Sequence, residues 1–255
     1  TWYSTGGGFD YAWSPDGKWF TLEFTGNKHD PYSDIGLVSA EGGKDIINLT
    51  NSGYMSGYPH FALDGNAILF TTERYGMRAH ASWGSLNDAM LVFLNQDAYD
   101  KYCLSKEDYE LRKELEKEQK KSAGKDTPQG KNKDKKKKYD KKDSNADEKD
   151  DQPKDIVVEL KGIEDRVVRL TPNSSDMGST IISKDGETLY YLAAFEGGYD
   201  LWKMNLRKKE TKLLHKMDAG WADMQLDKDG KNLFLLGSRK MQKMDTSSDA
   251  LTPIT

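Results

Sequence analysis

The sequence has 255 residues, a single cysteine and a formal net charge of −4, which results from 38 basic and 42 acidic residues. This length is enough for one or two domains with a buried core, and no apolar run approaches the roughly 20 residues of a membrane-spanning helix. The lone Cys103 excludes a disulfide framework, and the slightly acidic balance gives no reason to expect nucleic-acid binding.

Four turn signals organise the chain, each an Asp-Gly pair between two apolar runs. They are Asp16-Gly17, Asp64-Gly65, Asp185-Gly186 and Asp229-Gly230. Asp-Gly between apolar strands is a strong hairpin signal, because glycine accepts a positive φ and aspartate can bond nearby backbone N–H groups. We therefore predict that each pair joins two consecutive antiparallel strands.

Apolar residues recur at fixed distances from these glycines. Four positions before the glycine stand Trp13, Phe61, Ile182 and Leu226; three positions after it stand Phe20, Ile68, Leu189 and Leu233; five positions after it stand Leu22, Phe70, Tyr191 and Leu235. The last two sets follow the two-residue period of a strand with one buried face. The same face of each hairpin is thus predicted to be buried in all four repeats.

A second landmark gives the length of the repeat. Leu49-Thr50 and Leu170-Thr171 each end a β-prone run 15 residues before the next turn glycine, Leu214-His215 takes this place in the third repeat, and Leu251-Thr252 ends the chain. Repeats of about 45 residues with four short strands are typical of propeller blades. We predict an all-β fold, a β-propeller segment of about four four-stranded antiparallel blades. The repeats are 1–50, 51–171, 172–215 and 216–255.

Repeat two carries a charged insertion, since Gly65 and Gly186 are 121 residues apart. We predict strands over 89–94 and 156–160 at its ends, and between them, in 97–154, a helix followed by a linker rich in Lys, Asp and Glu. Ser105 and Asp108 form a box-like cap for the helix, whose thin apolar stripe predicts weak docking. Residues 122–154 contain no Leu, Ile, Val, Phe, Met or Trp, so we expect disorder there.

Several segments carry a family resemblance. They are 11–19, 34–38 and 47–50, then 72–78, 81–85 and 94–99, and finally 162–171 with the Lys/Glu-rich stretch before it. Together they resemble the β-propeller region of tricorn-like serine peptidases, which is related to the propeller repeats of TolB and the WD-repeat proteins. The Ser-Pro-Asp-Gly type of turn specifies only a propeller, whereas the later segments are similar to the peptidase family itself.

The resemblance implies a larger parent protein with further blades, a PDZ domain and a catalytic core. No segment here resembles that core, so no catalytic residue is carried over, and this chain is expected to be a noncatalytic scaffold that filters peptides. The chain starts on Thr1, and we expect a processed or excised piece of a periplasmic or otherwise exported bacterial protein, with the cytoplasm as the alternative. The rival functions are a TolB-like protein-interaction propeller and, with no convincing catalytic cluster, a hydrolase or lyase built on the propeller.

The best binding candidate is the loop that follows the second predicted hairpin. It offers Arg74, Tyr75, Arg78, His80 and Trp83. Two arginines can pair with a peptide carboxylate, while tyrosine and tryptophan give rigid apolar contact. The alternative interpretation is that these residues anchor the insertion on its own blade. Peptides and the rest of the parent chain are the expected partners.

The histidines do not indicate a metal centre. His29, His60, His80 and His215 lack the spacing of a metal-binding pair, and we predict no metal and no cofactor. His60 is interpreted as a packed or hydrogen-bonded histidine, and His215 as structural, because it takes the threonine position of the repeat.

Four repeats are at the low end for a closed propeller, so an open arc is favoured over a closed four-bladed ring. The faces at its two ends, predicted from Trp13, Phe20 and Leu22 and from Leu226, Leu233 and Leu235, would promote homo-oligomers.

Overall fold

A computed structural model describes residues 11–26, 32–77, 85–123 and 155–254. It confirms the all-β fold class, with four four-stranded antiparallel sheets whose strands follow chain order. Blade 1 holds β1 (Tyr11–Trp13), β2 (Trp19–Phe24), β3 (Asp34–Ser39) and β4 (Ile47–Asn48). Blade 2 holds β5 (Ser56–Ala62), β6 (Ala67–Thr72), β7 (Asp88–Phe93) and β8 (Val167–Arg169). Blade 3 holds β9 (Asp176–Ile182), β10 (Thr188–Ala194), β11 (Tyr199–Asn205) and β12 (Glu210–Ala219). Blade 4 holds β13 (Ala222–Leu226), β14 (Asn232–Gly237), β15 (Lys240–Asp245) and β16 (Leu251–Ile254).

The four Asp-Gly turns join the first and second strands of each blade. The turn glycines all have positive φ values, from 69° at Gly17 to 85° at Gly65. At Gly65 the requirement is also steric, because an added Cβ would collide with the Ile156 side chain. The second turn differs from the others in that Leu63–Gly65 forms a 3-10 turn with positive φ at Leu63 and Asp64.

The core lies between the blades. Three buried clusters join blade 1 to blade 2, blade 2 to blade 3 and blade 3 to blade 4. In blades 2, 3 and 4 the residues three and five positions after the turn glycine face the preceding blade, as Ile68 and Phe70 do against blade 1. The residues between them, such as Leu69, face the following blade. Each blade is therefore apolar on both faces, and consecutive blades stack through them.

The two ends of this stack differ from the prediction. Leu226, Leu233 and Leu235 pack against blade 3, so the expectation that they form a free end face is wrong. Because side chains alternate along a strand, the free face of blade 4 carries the opposite set, including Leu236, Met241 and Ile254, which are all exposed. At the other end, Trp13 of blade 1 is 56% exposed. Among the described residues, no buried cluster joins blade 4 to blade 1.

A repeated aspartate at the start of the third strand ties that strand to the end of the fourth. Thr50 donates a hydrogen bond of 2.8 Å to Asp34, and Thr171 donates one of 2.9 Å to Asp88. This contact explains why a Leu-Thr pair recurs in the sequence. In blade 3 the threonine is replaced by His215, whose Nε2 instead lies 3.0 Å from the carbonyl oxygen of Asp249 in blade 4.

The insertion leaves blade 2 between β7 and β8 and forms two helices, α1 (Gln96–Cys103) and α2 (Lys106–Ala123). Ser105 and Asp108 make the predicted reciprocal contacts at the start of α2. Leu111 and Leu115, which form the thin apolar stripe of α2, are exposed, and the weak docking of this helix stays a prediction. The Tyr102 ring lies 5.1 Å from that of Phe93, and Arg207 of blade 3 donates to three carbonyl groups at the end of α1. The predicted disorder over 122–154 concerns residues that, from 124 onward, lie outside the described ranges.

Residues 156–160 do not form the predicted strand. Ile156 and Val158 pack against the cluster between blades 1 and 2, which accounts for their apolar character. The backbone N–H of Ile156 donates to the Asp16 carboxylate at 2.9 Å instead of entering a sheet. The segment therefore crosses from the insertion to the first blade as an extended connector. Neither α1 nor α2, nor any other described helix, is long and apolar enough to span a membrane.

Candidate functional site

The first strands of blades 2, 3 and 4 surround a cavity of about 530 Å³, which we call the axial cavity. Each of β5, β9 and β13 is an edge strand of its own sheet, and all three line the axial cavity. They therefore form the inner rim of the arc, as expected for blades arranged around a central channel. Its lining includes Tyr58, His60, Met177, Ser179, Thr180, Tyr199, Trp221, Asp223 and Met224.

Two aromatic side chains in the axial cavity are largely exposed. Tyr58 is 68% and Trp221 is 60% accessible to solvent. Tyr58 lies where the pairing of β5 with β6 shifts register, and its φ is 54°. A β-bulge redirects a side chain away from its regular direction, which accounts for a tyrosine projecting into open space from an inner strand. Exposed rings held on a rigid scaffold are typical of surfaces that contact peptides and proteins.

Two hydrogen bonds hold polar residues of the axial cavity, one between blades 3 and 4 and one within blade 3. The Ser179 hydroxyl in blade 3 donates to the carboxylate of Asp223 in blade 4. The Tyr199 hydroxyl donates to Asp176 at 2.8 Å, and burial together with this hydrogen bond raises the pKa of Tyr199 to about 12. Tyr199 therefore keeps its proton at neutral pH and acts as a hydrogen-bond donor.

His60 contributes a neutral imidazole to the axial cavity. Its Nδ1 lies 3.2 Å from the Tyr58 carbonyl oxygen, and its Nε2 is buried. Burial lowers the pKa of His60, and the carbonyl groups of Tyr58 and Thr180 oppose this shift only in part. At neutral pH the ring is thus uncharged.

This arrangement is not a hydrolytic triad. A triad serine donates to a histidine, and the histidine to a carboxylate, whereas Ser179 donates directly to Asp223. Over the described ranges, no group of three or more His, Cys, Asp or Glu side chains is placed to hold a metal ion.

The predicted binding loop is only partly described. Arg78, His80 and Trp83 lie outside the described residues, while Arg74 and Tyr75 follow β6 and do not line the axial cavity. The Arg74 guanidinium lies 5.5 Å from the Tyr75 ring centre, and that of Arg169 lies 4.9 Å from it. Arg169 also binds Asp88 at 2.8 Å, so Tyr75 is connected to its own blade. This contact fits the anchoring interpretation, and peptide binding at this loop stays a prediction.

Sequence reasoning missed the axial cavity except for His60. Tyr58, Ser179 and Asp223 occupy the same repeat position, seven residues before the turn glycine. The shared position was the available signal, but the three residue types have no chemistry in common. Side chains that face a channel are free of packing constraints and so leave no apolar pattern.

Comparison with solved structures places the fold among known propellers. Tricorn protease matches with a TM-score of 0.57 and 10% identity over 96% of this chain and 22% of that chain. A putative TolB from Agrobacterium tumefaciens matches with a TM-score of 0.54 and 13% identity, over 96% of this chain and 63% of that chain. A puromycin-hydrolyzing peptidase of Mycobacterium tuberculosis matches with a TM-score of 0.55 and 10% identity, over 97% of this chain and 29% of that chain.

This chain therefore spans less than two thirds of each of these three proteins. Its sequence matches no protein-family model and no curated protein. Such low identity shows the fold alone. The chain is a four-bladed β-propeller similar in fold to tricorn protease and TolB, in agreement with the resemblance found in the sequence.

Proposed function

We propose that this chain is the noncatalytic propeller portion of a tricorn-like serine peptidase, exported in a bacterium, where it acts as a scaffold and filters peptides. The observation that carries the proposal is the axial cavity, which combines exposed aromatic rings with polar groups and offers no serine–histidine contact among the described residues. The likeness to two peptidase structures supports it at the level of the fold.

The dimensions of the axial cavity suit an extended peptide segment. Binding cavities for small ligands usually measure about 300–1,000 Å³, and this one falls inside that range at about 530 Å³. Met177 and Met224 add flexible apolar surface that adapts to different side chains. These features favour broad, moderate recognition over tight binding of one sequence.

Replacing Trp221 by alanine should weaken peptide binding at least tenfold, because a truncated aromatic anchor at a contact surface typically costs 1–2 kcal/mol or more. Trp13→Ala is the matched control, since Trp13 is about equally exposed but lies on the free face of blade 1. Titration calorimetry with unstructured peptides measures both variants. Equal binding by Trp221→Ala and the unchanged protein would show that the axial cavity is not the peptide site.

The purified chain should not hydrolyse peptides, because the Ser179 hydroxyl donates to a carboxylate and not to a histidine that could activate it as a nucleophile. Peptide cleavage is followed by mass spectrometry over a long incubation. Sustained cleavage that disappears in Ser179→Ala or His60→Ala would contradict the noncatalytic assignment and favour a hydrolase built on the propeller. Cleavage that survives both changes would indicate a contaminating peptidase.

The alternative function is a TolB-like interaction propeller with no proteolytic role. It is favoured by the comparison with the putative TolB, of which this chain covers 63%, against 22% of tricorn protease. The residues that follow Thr255 in the gene separate the two functions. A PDZ domain and a peptidase core should follow in the first case and be absent in the second.

A further inference from the structure

We propose that the axial cavity selects a positively charged residue of its peptide, a lysine or arginine side chain, with Asp223 as the counter-ion. This inference rests on the proposed peptide-binding function and deepens it by naming the class of side chain.

The first argument is the charge of the lining. Among the described residues that line the axial cavity, Asp223 alone has a formal charge, because His60 is neutral and the lining includes no described lysine or arginine. A second carboxylate, that of Asp176, accepts the hydrogen bond of the Tyr199 hydroxyl. Both carboxylates favour a negative electrostatic potential in the axial cavity, and a cavity wall of low dielectric constant strengthens its effect on a cation.

The second argument is that Asp223 keeps acceptor capacity. Its Oδ1 atom receives the Ser179 hydroxyl and the Met224 backbone N–H, the latter at 2.8 Å. Over the described residues, no hydrogen bond reaches Oδ2 and no lysine or arginine pairs with this carboxylate. The serine thus fixes the orientation of the carboxylate and leaves one oxygen for an incoming N–H donor.

The third argument comes from the two exposed rings. Trp221 is two residues from Asp223 in the chain, and Tyr58 faces the same cavity from blade 2. The faces of tryptophan and tyrosine attract a lysine ammonium or an arginine guanidinium. A carboxylate together with exposed aromatic rings is a combination by which proteins recognise cationic side chains.

The test uses three peptides that differ at one central position, with arginine, citrulline or glutamate. Citrulline keeps the shape of arginine and removes its charge, so it isolates the electrostatic part. We expect the arginine peptide to bind the unchanged protein roughly tenfold more tightly than the citrulline peptide, and the glutamate peptide to bind weakest. Higher salt should narrow this difference.

Asp223→Asn should remove the preference for arginine while it leaves the citrulline peptide bound as before. Asp229→Asn is the matched control, because Asp229 is exposed in a turn outside the axial cavity and should leave the preference unchanged. Equal binding of the arginine and citrulline peptides to the unchanged protein overturns the selection of cations but leaves the peptide-binding function standing. Binding of none of the three peptides overturns both. If Asp223→Asn fails to fold, the comparison of peptides on the unchanged protein decides alone.

Discussion

At micromolar concentrations we expect the isolated chain to associate end to end, and Leu236→Asp to abolish that association. The free face of blade 4 carries Leu236, which is 38% exposed, together with Met241 and Ile254. The free face of blade 1 carries Trp13 and Phe20, whose rings contact each other with a centroid separation of 5.3 Å. At each of the three blade junctions inside the chain, a face equivalent to the free face of blade 4 packs against a face equivalent to the free face of blade 1.

We expect a second copy of the chain to cover these faces, because the free face of blade 4 in one copy can pack against the free face of blade 1 in the next. Such a head-to-tail contact closes into a ring or continues as a filament. An aspartate placed in the contact would be buried without a partner, and we expect it to weaken association roughly 100-fold.

Small-angle scattering and analytical ultracentrifugation measure the association. A crescent-shaped monomer that gives way to an oligomer on concentration is the expected result. Leu115→Asp is the matched control, because Leu115 is similarly exposed but lies on α2, away from both end faces. A compact disc-shaped monomer at all concentrations, with blades 1 and 4 in contact, would contradict the open arc.

Arg207→Ala should release α1 and α2 from the propeller while the four blades remain folded. The Arg207 guanidinium donates to the carbonyl oxygens of Lys101, Tyr102 and Leu104 at 2.6–3.3 Å, and lies 3.9 Å from the Tyr109 ring centre. These carbonyls are at the end of α1, where the helix lacks internal donors and its dipole favours a cation. Charge-assisted hydrogen bonds and the ring contact together suggest a loss of about 3 kcal/mol of docking free energy.

Hydrogen exchange resolves this effect by segment. Amide protons of α1 and α2 should exchange much faster in Arg207→Ala, and those of β10 and β14 should be unchanged. Arg239→Ala is the control, since Arg239 is exposed in the turn between β14 and β15. Unchanged protection of the helices would mean that Phe93, Tyr99 and Tyr102 hold the insertion without the arginine.

The blades could be predicted because their signals are local. An Asp-Gly turn and a two-residue apolar period extend over about ten residues, and they fix both the hairpin and its buried face. The docking of the insertion could not be predicted in this way. Its anchor, Arg207, lies in another blade more than 100 residues from Tyr102, and nothing in the charged turn between β11 and β12 marks it as a partner.

The wrongly predicted strand at 156–160 shows a second limit of prediction from the sequence. Ile156 and Val158 are apolar because they pack against the cluster between blades 1 and 2, and the β-prone composition reflects that packing without any sheet. The axial cavity shows a third. Tyr58, Ser179 and Asp223 share a place in the repeat, but their meaning emerges only when three blades bring them to one space.

The insertion between β7 and β8 is closed at its base by contacts that do not depend on the length of the inserted chain. Val92 is paired with Val167, the Glu159 N–H donates to the Leu94 carbonyl at 2.7 Å, and Arg166 donates to the Phe93 carbonyl at 3.2 Å. Since doubling a closed loop costs only about 0.6 kcal/mol, blade 2 is nearly indifferent to how much chain it carries there. The same base would accommodate a guest domain or a break in the polypeptide, which makes blade 2 the position at which this architecture can exchange parts over evolution.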